Sequence, residues 1–319
     1  MFESLFLRLL TVPAALPGAL AQGLIWGIMA IGVFITFRIL DFPDLTVDGT
    51  ICTGAAVCII MMLAGCNAWV SMLVATFAGL LAGLMTGLFH TFMGIPSILA
   101  GILTQLSLYS INLKILGKAN QAINVDKYDL LISLRWVQDA ILGNPLIMVS
   151  ILIVVLIAIL YWFFGTELGC SIRSTGANPN MSRAQGINTD FTKVLGLMLS
   201  NGLVAFSGAL LCQYQGFADV NMGRGAIVIG LAAVIIGEAI FSRIFRNFAL
   251  KLLGVVFGSV IYYVVIQIVI QLGLDANLLK LLSALVVAVF LAVPYWKGKY
   301  FRRPVKNGAA KEKEGEPNA

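Results

Sequence analysis

A chain of 319 residues that is 60% hydrophobic and 11% charged, with mean hydropathy +0.96, is far from the charge content of about 25% typical of soluble domains. That composition excludes water as the main solvent. The net charge of +6 sits largely in the tail Lys297–Lys313, so it is read with membrane orientation and not as a nucleic-acid surface.

The apolar residues arrive in blocks of roughly 20, the length an α-helix needs to cross a ~30 Å hydrocarbon core. Backbone groups in that core must pair within the protein, which leaves helices or closed barrels. Runs such as Leu146–Phe164 are continuous and lack the alternation of barrel strands. The expected fold is therefore all-α: a polytopic transmembrane helical bundle of about nine spans, in a range of eight to ten.

In chain order, 1–14 reads as an interfacial segment, with Met1–Val12 a short helix that Pro13 ends. Glu3, Pro13 and Pro17 do not fit a cleavable signal peptide. The membrane domain covers 15–296. Its expected spans are Leu16–Phe37, Leu45–Leu63, Ala68–Phe89, Ile95–Leu116, Leu146–Phe164, Val194–Cys212, Ala226–Phe241, Leu250–Gln271 and Leu278–Pro294. The residues 297–319 form a basic, disordered tail.

Between the first two spans, Arg38-Ile-Leu-Asp-Phe-Pro-Asp-Leu-Thr-Val-Asp48 brings together Asp41, Asp44 and Asp48. Carboxylates at bilayer depth are costly and usually face a partner or a water-filled path. Pro43 forbids continuous helix, and Asp44 or Thr46 is placed to cap the next one. Two readings are open: a capped loop at the interface, or a broken segment dipping toward a pathway. An internal echo favours the second. Phe42-Pro-Asp-Leu-Thr-Val47 resembles Phe217-Ala-Asp-Val-Asn-Met222, 175 residues later, so Asp219 and Asn221 repeat the pattern. After a one-residue slip, Gly49, Gly54, Ile59 and Ile60 match Gly225, Gly230, Ile235 and Ile236. An offset of five spans makes the two copies antiparallel, as in the inverted repeats of many transporters; chance likeness of apolar helices is the alternative. Asp41, Asp44, Thr46, Asp48, Asp219 and Asn221 are the candidate pathway residues.

Three segments carry glycines four apart: Gly23 and Gly27; Gly79, Gly83 and Gly87; Gly254 and Gly258. Such spacing lets helix backbones approach closely, and internal packing is preferred here to a dimer interface. Between the fourth and fifth spans, on the outer side, 118–138 carries Asp126, Lys127, Tyr128, Asp129, Arg135 and Trp136, readable as a solvated loop or as a docking surface. Glu238, near a span end, reads as a snorkelled or paired charge. The cysteines Cys52, Cys58, Cys66, Cys170 and Cys212 lack CxxC spacing and read as small core residues. His90 is the only histidine, so no His-based metal site is expected.

The longest polar connection runs from 165 to 193. There Asn178-Pro179-Asn180 forms a turn, Met181–Gln185 a short helix, and Gly186 its end. Counting Lys and Arg puts thirteen on 165–193, 242–251 and the tail, against six on the opposite side (Lys114, Lys118, Lys127, Arg135, Arg224, Lys280). The richer side is expected to be cytoplasmic, together with the C-terminus. No GxxxxGK[ST], HExxH or GxSxG motif occurs, and nothing points to an enzyme.

These residues resemble permeases of the branched-chain amino acid, ribose and nucleoside type of ABC importer, over about residues 20–295. Leu40-Asp-Phe-Pro-Asp-Leu-Thr-Val-Asp-Gly49 is similar to the acidic, glycine-ended motif after their first span. Arg173-Ser-Thr-Gly-Ala-Asn-Pro-Asn-Met-Ser-Arg-Ala-Gln-Gly-Ile-Asn188 is similar to their ATPase-contacting loop, and Ser207-Gly-Ala-Leu210 and Val234-Ile-Ile-Gly237 also match. The Pro-Asp-Leu-Thr-Val-Asp-Gly form is closest to a subgroup of tryptophan/tyrosine or uncharacterised-substrate importers. Gly237-Glu238 departs from the paired glycines common there.

The resemblance implies a bacterial inner-membrane subunit that works as a homodimer with a cytoplasmic ABC ATPase dimer and an extracytoplasmic substrate-binding protein. ATP and Mg would sit on the ATPase, with no cofactor on this chain. Transport would be by alternating access, and the first substrate class an aromatic amino acid. Arg173, Gly176, Asn178, Arg183, Gly186 and Ile187 would be the ATPase-coupling residues. A nucleoside or sugar permease of the same family and an ion-coupled secondary transporter are the competing readings.

Overall fold

The structure is a computed structural model and describes residues 2–124, 127–128, 130–134, 144–241, 247–271 and scattered positions from 281 to 292. Most of the ninth expected span, the whole basic tail, Arg243 and Arg246, and Asp126, Asp129, Arg135 and Trp136 lie outside the described residues.

The first helix, α1 (Phe2–Phe34), passes through Pro13 and Pro17. The expected stop at Pro13 is not there, because a proline removes one N–H and kinks a helix without obliging it to end when the turns on both sides hold. A π-helical turn, Ile35–Ile39, prolongs α1. Then follow α2 (Val47–Leu63), α3 (Ala68–Thr91), α4 (Ser97–Leu116), a short strand β1 (Asn120–Ala122) and α5 (Pro145–Gly165). The polar connection holds two helices, α6 (Glu167–Ala177) and α7 (Pro179–Ala184). The second half has α8 (Thr189–Gln215), strand β2 (Phe217–Asp219), α9 (Ala226–Phe241) and α10 (Phe248–Gln271).

Among the described residues, six helical stretches are long and apolar enough to span a bilayer: Leu16–Ile39, α3, α4, α5, α8 and α10. These stretches make the chain a polytopic helical membrane protein. In the apolar core stretches of α1 and α8, 78% and 72% of residues are buried, against 28% in α4 and α5. The first pair is therefore the centre of the bundle, and α3, α4, α5 and α10 form its wall. Wall side chains such as Leu73, Phe77, Leu106, Val154 and Ile159 are exposed, as an apolar solvent permits.

With little hydrophobic drive between helices in lipid, contact depends on small residues and hydroxyls. The glycine stripes do this internally. A Cβ on Gly79 or Gly83 would meet the α8 backbone, and one on Gly23 or Gly27 the α10 backbone. Gly237 and Gly258 likewise seat α9 against α10. Close packing therefore survives at Gly237 although Glu238 follows it. Ser200 and Ser207 donate from α8 to the α1 carbonyls of Gly32 and Ile25, both at 2.7 Å, and Ser259 of α10 donates to Gly23 at 2.8 Å.

The bundle has two distinguishable ends. At one, β1 pairs antiparallel with β2, Asn120 opposite Asp219 and Ala122 opposite Phe217, a ribbon that the all-α expectation lacked. At the other lie α6, α7 and the ion pair Arg38–Glu238, 2.8 Å. The sequence reading took Leu45–Leu63 and Ala226–Phe241 for full spans. At 17 and 16 residues, α2 and α9 reach only about 25 Å. Both begin inside the bundle, α2 running to the ribbon end and α9 to the opposite one.

Candidate functional site

The site is built where the two interrupted helices start. In the first break, Leu40 N–H bonds to Ile35 O and Phe42 N–H to Thr36 O, which closes the π-helical turn. Asp41 then takes a positive φ of 53°, a conformation in which Asp is one of the few tolerated non-glycine residues. Its side chain is exposed, so of the three acids it is the one not brought into the interior. Asp44 is 2% exposed. One oxygen accepts from Thr46 N–H at 2.9 Å and turns the chain into α2, while the other accepts from Asn201 Nδ2 at 2.7 Å. Asp44 is therefore the residue that caps the turn, and Thr46 makes no side-chain cap.

Thr46 instead joins a buried polar chain. Its hydroxyl is 2.8 Å from that of Thr86 on α3, which donates to Thr104 on α4 at 2.9 Å. Thr50 donates to Asn201 Oδ1 at 2.7 Å. Asn201, Thr50, Thr86 and Thr104 were absent from the sequence-derived candidates. The signal was available, since an Asn within an apolar span is costly unless it is bonded or functional.

The second break starts at Gly216, left-handed with φ 77°, and passes through β2. Asp219 Oδ1 accepts from Asn221 N–H at 2.6 Å, the same local turn that Asp44 makes with Thr46. The echo at Phe42 and Phe217 is thus a shared backbone device. Asn221 is exposed, and Asp219 is near the β1 side chain of Asn120 at 3.4 Å, so these two lie at the ribbon end and apart from Asp44.

The two breaks meet through Asp48. Its carboxylate accepts from Gly225 N–H at 2.9 Å and Ile227 N–H at 2.8 Å, at the start of α9. An anion there satisfies orphan N–H groups and the positive end of a helix dipole at once. Beside it opens a cavity of about 290 Å³ walled by Asp48, Gln105, Tyr109, Asn112 and Arg224. Arg224, which the charge count put on the outer side, is exposed and lines this wall, with its guanidinium 5.9 Å from the Tyr109 ring. Asn112 is fully buried, donates to Gly49 O at 3.3 Å, and has an Oδ1 with no hydrogen-bond partner among the described residues.

At the far end, Asn178 caps α7 by accepting from Met181 N–H at 3.1 Å, and Gly186 terminates it with φ 82°. Gly176 does not face outward. A Cβ there would strike the backbone of Ile39 and Leu40, so α6 rests directly on the first break. Arg173 is exposed and donates to Phe164 O at 2.8 Å. Arg183 bonds to Thr189 Oγ1 at 2.7 Å and lies 3.4 Å from Asp190, while Ile187 is half-buried. The outward face is Pro179, Asn180, Met181, Ala184 and Gln185. Of the cysteines, Cys52, Cys58 and Cys212 are buried as expected, but Cys66 is half-buried and Cys170 exposed beside Arg173.

Residues 16–294 match the family described as branched-chain amino acid transport system / permease component. The chain belongs to this permease family. A tyrosine transport system permease protein of Clostridioides difficile (strain R20291) is 38% identical over 273 residues, covering 86% of this permease and 89% of the relative. An uncharacterised protein of Rickettsia prowazekii (strain Madrid E) is 35% identical over 276 residues, with coverage of 86% and 95%. The fructose import permease protein FruF of Bifidobacterium longum (strain NCC 2705) is 27% identical over 250 residues, with coverage of 77% and 68%. No solved structure matches the permease. As a family member it is a transport subunit.

Proposed function

We propose that this permease is the membrane-spanning subunit of an ATP-driven, binding-protein-dependent importer of an α-amino acid, aromatic ones first. Two copies would stand beside a cytoplasmic ABC ATPase dimer and beneath an extracytoplasmic binding protein in the bacterial inner membrane. The α6–α7 hairpin and the C-terminus would be cytoplasmic. ATP and Mg would be held by the ATPase.

The observation that carries this reading is the contact of Gly176 with the first break. Motion of the hairpin is delivered straight to Leu40, and from there the same short segment leads to Asp44 and Asp48. Met181 and its exposed neighbours supply the docking face, and Arg183, tied to Thr189, makes α7 and the start of α8 move as one body. In alternating access, closure of the ATPase dimer would tilt the hairpin and with it the start of α2. Asp44, Thr46 and Asp48 hold that hinge. Asp219 and Asn221 would lie toward the external mouth, and Asp41 toward the internal one.

The cavity beside Asp48 supports the substrate class. Arg224 suits a carboxylate and the unpartnered Asn112 Oδ1 suits an ammonium group, while Tyr109 offers a ring face. About 290 Å³ is near the lower bound of small-molecule pockets. The tyrosine permease relative supports the aromatic assignment.

Reconstitution tests it. Proteoliposomes carrying the permease, its ATPase and its binding protein are expected to take up tyrosine or tryptophan only with ATP. Uptake by the permease alone on an ion gradient would overturn the proposal in favour of a secondary transporter, and uptake of a sugar or nucleoside would move the substrate class. Arg183→Glu is expected to reduce ATPase stimulation while the protein stays in the membrane. A Cys at Met181 should label only from the cytoplasmic side; Ser182, fully buried, is unsuitable.

A further inference from the structure

The α6–α7 end carries a further feature. Two cavities lie side by side there and share Arg173 and Phe248. One, about 450 Å³, is walled by Arg38, Arg173, Lys251, Phe34 and Phe248. The other, about 570 Å³, is walled by Tyr161, Trp162, Phe164, Thr166 and Phe248.

The first cavity has a surplus of positive charge. Arg38 is paired with Glu238 at 2.8 Å. Arg173 spends one guanidinium nitrogen on Phe164 O at 2.8 Å and Cys170 Sγ at 3.3 Å, and stacks near Phe248 at 5.9 Å. Neither Arg173 nor Lys251 has a carboxylate partner among the described residues. Both cations are exposed, and cations without a carboxylate partner at the membrane margin attract the anionic headgroups of the adjoining leaflet. The second cavity lies where the apolar run of α5 ends, with Tyr161 and Trp162 exposed, the amphipathic rings that populate the headgroup level.

One kind of molecule matches both halves: a phosphate on a glycerol that carries acyl chains. We infer that this double cavity binds an anionic phospholipid of the adjoining leaflet, with its phosphodiester between Arg173 and Lys251 and its apolar part along Tyr161, Trp162 and Phe164. The bound lipid would clamp α6 to the start of α10. Because Gly176 and Arg38 also line the basic cavity, it would bear on the first break. The inference needs only that the chain is embedded in a bilayer. It stands or falls separately from the transport proposal.

Native mass spectrometry of the full permease, extracted from vesicles of equal phosphatidylglycerol and phosphatidylethanolamine, tests it. The wild type is expected to retain phosphatidylglycerol preferentially. Lys251→Gln and Arg173→Gln should each lower that retention about fivefold, the effect of one basic residue near an anionic surface, and the double variant more. Lys251→Gln removes no bond among the described residues, so its melting temperature should equal that of the wild type even if Arg173→Gln loosens α6. Equal retention of the two lipids, or unchanged retention in Lys251→Gln, overturns the inference. Displacement of the lipid by millimolar inorganic phosphate does so too, and assigns the cations to a soluble anion.

Discussion

The two breaks begin alike and end differently. Each uses an Asp to turn the chain, Asp44 onto Thr46 and Asp219 onto Asn221, and each is followed by a short helix that starts inside the bundle. The glycines that follow are reciprocal. Gly54 of α2 lies against Ala205 of α8, and Gly230 of α9 against Val33 and Met29 of α1, so each short helix leans on the first helix of the other repeat. Yet Asp44 is sealed against Asn201, whereas Asp219 remains accessible at the ribbon end. In the slipped alignment Asp48 corresponds to Arg224. The same position thus carries an anion in one repeat, which holds the start of α9, and a cation in the other, which faces a cavity. The lesson is that two breaks sharing one turn device have been given different interiors by a few charges.

Substitutions at matched positions sharpen or break this comparison. The largest effect is expected at Gly54. Its missing Cβ would collide with the Ala205 backbone, which cannot step aside, while at Gly230 the neighbours are the side-chain ends of Val33 and Met29. Gly54→Ala should cost about 3 kcal/mol, and Gly230→Ala about 1 kcal/mol, in detergent unfolding. Equal costs would mean that the two interfaces are interchangeable.

Next come the carboxylates. Asp48→Ala leaves two N–H groups at the start of α9 without their acceptor and should cost about 2–3 kcal/mol and abolish uptake. Asp219→Ala removes one turn bond at the ribbon end and should cost about 0.5–1 kcal/mol, with uptake retained. If Asp219→Ala were the more damaging, the asymmetry of the two breaks would be reversed.

Arg224→Gln is expected to leave the melting temperature near that of the wild type and to raise the concentration of amino acid needed for half-maximal uptake several-fold. Uptake kinetics with the intact importer check this. An unchanged dependence would remove Arg224 from the pathway. The smallest effect is assigned to Glu238→Gln at the opposite end, where an ion pair with two partly exposed partners is worth about 0–1 kcal/mol.

Much of this molecule was legible in the residue string. Length and composition made a bundle of helices the only economical answer, because lipid offers no partner for an unpaired backbone amide. Pro43 and the repeated Phe-x-Asp element located both interruptions, since proline and a turn-forming carboxylate act through their immediate neighbours. Asn178 and Gly186 bounded α7 for the same reason. The glycine stripes announced close helix contact but not which helices.

What only the tertiary structure decided was everything that depends on a second element arriving from far along the chain. Asp48 reads as a first-turn acid of its own helix, yet its acceptors serve α9, 177 and 179 residues away. Gly176 looks like part of a docking surface and proves to be the seat of α6 on Leu40. Asn201 has no local motif at all and nonetheless links Asp44 to Thr50. Local signals are written in φ, ψ and hydrogen bonds a few residues long. The choice of partner for a buried charge is set by which helices pack together, and that is a property of the assembled bundle.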